Sequence, residues 1–120
     1  MRVFRVSIYI DILNMDLLQG TLDMLVLRTL ILGPLHGYGI AKAIGQLSNG
    51  AFEIEFGSLY PALKRLELKG WISAKWEVSE HKRQARVYRL TPAGKKQLAD
   101  ERAKWNQFVA AIATVMGAES

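Results

Sequence analysis

The chain has 120 residues, half of them apolar or aromatic and 22% charged, which is the composition of one globular domain with a modest core. Its 16 Lys and Arg against 11 Asp and Glu give a net charge of +5, a balance that favours an anionic partner, nucleic acid first. With no cysteine, disulfide scaffolds, Cys-ligated zinc, iron–sulfur clusters and cysteine nucleophiles are excluded, and no apolar run reaches the roughly 18 residues of a membrane helix.

Residues 1–14 carry two arginines and then a short apolar stretch, superficially like a secretion signal. Asp11 interrupts the stretch and no small-residue cleavage site follows. We read this segment as an N-terminal extension, disordered or not native. The competing reading is an extra strand or helix packed on a partner subunit. Asp16 with Gln19 forms a variant of the capping box, and Leu17–Leu32 is apolar around most of a helix, so this helix should be central and buried. Gly33-Pro34 stops it. His36-Gly37-Tyr38-Gly39 reads as a turn into a second helix, with Ile40, Ile44 and Leu47 facing inward and Asn49-Gly50 at its end.

Phe52–Phe56 reads as a short extended piece. Gly57-Ser58 then opens a third helix, from Leu59 to about Lys69, with Ser58 as N-cap and Pro61 in the first turn. At 100° per residue Leu59, Ala62, Leu63 and Leu66 share one face. Tyr60, Pro61, Lys64 and Leu68 point the other way, with Arg65 on the flank. Trp71–Val78 and Ala85–Leu90 are strand-like runs around the polar tip 79–84, a β-hairpin whose two tryptophans, Trp71 and Trp76, should pack on the helices. Thr91-Pro92 caps a last helix that runs to about Met116. Its Leu98, Trp105 and Ile112 recur every seven residues, with Phe108 and Val115 three residues after the last two, a seam that calls for a second helix. We read it as a dimer interface.

Helix, helix, helix, hairpin, long helix is the winged helix-turn-helix plan. The fold is expected to be mainly α (α+β), with a two-stranded wing. Residues 15–91 would be the DNA-binding domain, and 92–120 a dimerisation helix with a short tail. From Lys64 to Arg89 there are 8 basic and 3 acidic residues, so this segment alone carries a balance of +5. Those cations fall on the third helix and the wing, where a duplex would lie.

Three separated stretches are shared with a known family. They are Gly57-Ser58-Leu59-Tyr60-Pro61-Ala62-Leu63-Lys64-Arg65-Leu66-Glu67, Gly70-Trp71-Ile72, and Tyr88-Arg89-Leu90-Thr91-Pro92-Ala93-Gly94. With Leu17–Asp23 and His36–Ile40 upstream, the chain strongly resembles the PadR family of bacterial transcriptional regulators over about residues 15–116, and its short subgroup most. The resemblance implies a cytoplasmic, dimeric winged-helix repressor on a pseudo-palindromic operator, often released by a small molecule. It also implies that Tyr60 faces DNA.

The candidate DNA-contacting residues are Tyr38, Ser58, Tyr60, Pro61, Lys64, Arg65, Lys82, Arg83 and Arg86. Tyr38 with Gly37 opens the second helix, whose amides could receive a phosphate. Lys82, Arg83 and Arg86 form a wing cluster suited to backbone or minor groove. Leu98, Trp105, Phe108, Ile112 and Val115 are the candidate dimer residues, and Trp105 with Phe108 could wall a flat aromatic effector. His36 and His81 stand 45 positions apart with no paired acids nearby, so neither a metal nor a cofactor is expected. No nucleophile elbow, phosphate loop or carboxylate pair points to an enzyme. The alternative function is a winged-helix module whose basic face binds a protein.

Overall fold

The computed structural model describes residues 6–8, 15–78 and 80–117. In chain order the elements are β1 (Val6–Ile8), α1 (Met15–Ile31), β2 (Leu35–His36), α2 (Gly37–Leu47), β3 (Phe52–Ile54), α3 (Phe56–Leu68), β4 (Ile72–Val78), β5 (Gln84–Leu90) and α4 (Pro92–Met116).

α1 is the central helix, and Leu22, Val26, Leu27 and Leu30 are all buried in it. They meet Ile40 and Ile44 of α2, Leu59, Leu63 and Leu66 of α3, Ile72 of β4 and Tyr88 of β5 in one core. Leu47, expected on the inward face of α2, is exposed instead, because the helix ends there and Ser48 caps it. Met15 is already helical, so Asp16 lies inside α1 and is not its N-cap.

The wing is an antiparallel β4–β5 hairpin in register from Ile72 opposite Leu90 to Val78 opposite Gln84. A third strand extends it, since Leu35 and His36 pair antiparallel with Tyr88 and Val87. His36 is therefore strand and cap together, not a turn residue. Its Nδ1 accepts from the Gly39 amide at 2.9 Å, satisfying one open donor of α2. Of the N-terminal segment, Val6–Ile8 pair in parallel with Phe52–Ile54 of the same chain, and the remaining expectation for residues 1–14 lies outside the described residues.

α4 starts as the sequence leads one to expect. Thr91 Oγ1 accepts from the Gly94 amide at 3.0 Å and donates to the Gly70 carbonyl at 2.7 Å, which ties the helix start to the end of α3. Gly94 sits so close to the chain at Trp71 that a Cβ there would lie 1.9 Å from the Trp71 carbonyl oxygen. Leu98 inserts into the core beside α1, 4% exposed, and so is not available to a partner as expected. From Arg102 to Met116 every residue is exposed. With 25 residues at about 1.5 Å each, α4 extends about 37 Å.

Candidate nucleic-acid interface

α3 begins at Phe56, with Glu55 as N-cap, and not at Leu59. Ser58 is thus a turn inside the helix and 7% exposed, and the expected cap is corrected. The helix starts early because Glu55 is already extended and its carbonyl accepts from the amides of Ser58 and Leu59, both at 3.0 Å. The two faces come out as the periodicity predicts. Leu59, Ala62, Leu63 and Leu66 are fully buried, while Tyr60, Pro61, Lys64 and Leu68 face solvent. Pro61 carries no N–H and sits early enough in α3 for that to cost little.

Of the adjacent cations Lys64 and Arg65, only Lys64 points outward. Arg65 Nη2 reaches back to Asp23 Oδ1 on α1 at 2.9 Å and fastens α3 to the central helix. Burial of the Asp23 carboxyl outweighs the pull of Arg65 and holds its pKa above the ordinary value. Arg65 thus braces α3 against α1 through one nitrogen of its guanidinium.

The wing faces the same side. Lys82 at its tip is exposed and held at φ 58°, a left-handed backbone that few residues with a side chain adopt. Arg83 follows it, exposed. Arg86 donates to Glu67 of α3 at 2.7 Å and lies 5.8 Å over the Trp76 ring, so the wing is laced to α3. Trp76 is exposed beneath that guanidinium and does not pack on the helices as expected, whereas Trp71 does join the core. Between α3 and the wing lies a concavity of about 650 Å³, lined by Tyr60, Lys64, Glu67, Leu68, Arg86 and Tyr88.

One feature went unseen in the sequence. Tyr38 at the start of α2 stacks on Phe56 with ring centroids 6.5 Å apart, and Phe56 stacks on Tyr60 at 5.7 Å, with interplanar angles of 24° and 27°. His36 adds a tilted ring 6.2 Å from Tyr38. The three stacked rings stay 62%, 43% and 50% exposed. The 4-residue spacing of Phe56 and Tyr60 was the available signal.

Residues 26–100 match the Transcriptional regulator PadR-like family. The chain belongs to that family. Membership makes it a DNA-binding transcriptional regulator, not an enzyme. The PadR-like chain is 31% identical over 90 residues to an uncharacterized protein of Lysinibacillus sphaericus, covering 75% of this chain and 83% of that one. It is 40% identical over 67 residues to a transcriptional regulator of Mycobacterium tuberculosis, covering 56% of this chain and 59% of that one. A solved transcriptional regulator from Clostridium thermocellum superposes with a TM-score of 0.73 at 32% identity, covering 81% of this chain and 94% of that one.

At the far end of this PadR-like chain, Trp105, Phe108, Val109, Ile112, Val115 and Met116 are exposed along α4. Trp105 and Phe108 touch, 5.9 Å between centroids, and with Met24 of α1 they wall a cavity of about 220 Å³. Val109 belongs to the stripe and was missed because it falls between heptad positions. Among the described residues, no helix is long and apolar enough to cross a membrane.

Proposed function

We propose that the protein is a sequence-specific repressor acting in the cytoplasm as a homodimer on a pseudo-palindromic operator. The observation that carries this reading is the outward face of α3, where Tyr60, Pro61 and Lys64 stand opposite a fully buried apolar face and beside a basic wing. Tyr60, Pro61 and Lys64 would enter the major groove. Tyr38 would meet a phosphate at the α2 N-terminus, and Lys82, Arg83 and Arg86 would follow the backbone or minor groove. Ser58 and Arg65 would serve by shaping and bracing α3.

The exposed α4 stripe supports dimerisation, because an isolated helix does not keep six large apolar side chains in water without cost. Two α3 helices would then sit in successive major grooves about 34 Å apart on one face of the duplex, and the bound dimer would exclude polymerase. The cavity beside Trp105 and Phe108 is smaller than the roughly 300–1,000 Å³ of a typical ligand site, so two copies would combine at the dimer axis to hold a small aromatic effector. Such a ligand would release DNA by favouring a dimer with a different helix spacing.

A gel-shift titration with the intergenic DNA upstream of the protein's own coding region tests this, at two salt concentrations and against excess unrelated duplex. Tight binding that resists the competitor and weakens with salt is the expected result. Equal, weak binding to both duplexes would overturn the operator reading, and a protein complex surviving purification would favour the interaction-module alternative.

A further inference from the structure

We infer that Phe56 reads a thymine methyl group in the major groove and so helps to set the operator sequence. The inference rests on the DNA-binding reading above and extends it to a residue outside the expected contact set.

Phe56 is the first residue of α3. In helix-turn-helix docking the N-terminal residues of the recognition helix meet base edges. Phe56, Tyr60, Lys64 and Leu68 follow one another every four residues, and all four are exposed, so they form a single row along the outward face. The row starts with an apolar ring where a phosphate-binding protein would be expected to place a cation.

The surroundings narrow what that ring can touch. Tyr38 and Tyr60 flank it at 6.5 and 5.7 Å in near-parallel stacks, which fixes its direction at low entropic cost. Both flanking residues carry a hydroxyl that can donate to a phosphate, and Phe56 carries none. Glu55, one residue upstream, is exposed and makes no capping hydrogen bond. A carboxylate there is repelled by phosphates but can accept from cytosine N4, so this end of α3 suits base edges and not the backbone. Among the groups that base pairs present in the major groove, the thymine C5-methyl is the apolar one. A ring that stays 43% exposed in the free protein would bury part of that apolar surface on the methyl.

The test uses the full-length protein and its footprinted operator. Each thymidine of one half-site, and its symmetry mate in the other, is replaced by 2′-deoxyuridine, which removes only the methyl. One position per half-site is expected to weaken binding about fourfold per methyl, the size of one buried carbon's transfer from water. Phe56→Ala should bind the intact operator more weakly and lose all sensitivity at that one position. Phe56→Leu, read alongside its melting temperature, keeps an apolar side chain and should retain part of the sensitivity. The inference is overturned if wild type is indifferent to every methyl, or if Phe56→Ala keeps the same penalty per methyl as wild type. A wild type that fails to discriminate the operator at all would sink the repressor reading as well, a separate and recognisable outcome.

Discussion

Lys64 and Arg65 are neighbours in sequence, yet the structure separates their expected effects on binding. Lys64 lies on the exposed face of α3 with no ion-pair partner among the described residues, whereas Arg65 is held to Asp23 at 2.9 Å. Each phosphate neutralised contributes about 0.9 to the slope of log affinity against log salt. A dimer carries two Lys64 side chains, so Lys64→Ala should flatten that slope by about 1.8. Across a fourfold rise in salt, wild type should then lose roughly 12-fold more affinity than the variant. Arg65→Ala removes a partly buried charged hydrogen bond and should cost about 1–3 kcal/mol of folding stability with the slope unchanged. Fluorescence anisotropy with a labelled operator at four salt concentrations gives both slopes, and urea unfolding gives both stabilities. The assignment of roles is refuted if Arg65→Ala flattens the slope as much as Lys64→Ala, or if Lys64→Ala leaves it untouched.

Gly94→Ala drives a methyl into the Trp71 carbonyl and should destabilise the fold by about 3 kcal/mol, seen as a lower urea midpoint. Because burial raises the Asp23 pKa, its contribution to stability is fully present below the ordinary carboxylate value and is lost as pH rises through the raised one. Wild type should therefore show a downward step in stability over that acidic window that Asp23→Asn lacks, measured as urea midpoints across the range. Ile112→Asp places a charge in the exposed α4 stripe and should turn a dimer into a monomer in sedimentation velocity, with the circular dichroism of the fold retained.

Most of the architecture was legible because it rests on local chemistry. The buried and exposed faces of α3 follow from a 3.6-residue period, and the α4 start follows from Thr91-Pro92. What escaped depends on partners distant in sequence. Arg65 meets Asp23 across 42 positions and Arg86 meets Glu67 across 19, so neither pairing shows in a charge map. Leu98 repeats in phase with Trp105 and Ile112, but the fold buries Leu98 in the core beside α1 and leaves Trp105 and Ile112 exposed, a division that a seven-residue repeat does not show. Ser58 looked like a cap because serine often is one. The extended Glu55 started the helix one turn sooner and turned Ser58 inward. The Tyr38–Phe56–Tyr60 stack joins two helices whose ends are brought together only by the fold.

Hydroxyl-radical footprinting of the operator tests the central claim most directly. Paired α3 helices predict two protected patches centred about one helical turn apart, roughly 10–10.5 base pairs, on a single face of the duplex. A single protected patch, or protection that is the same on unrelated DNA, would contradict a dimer reading two half-sites through α3 and the wing.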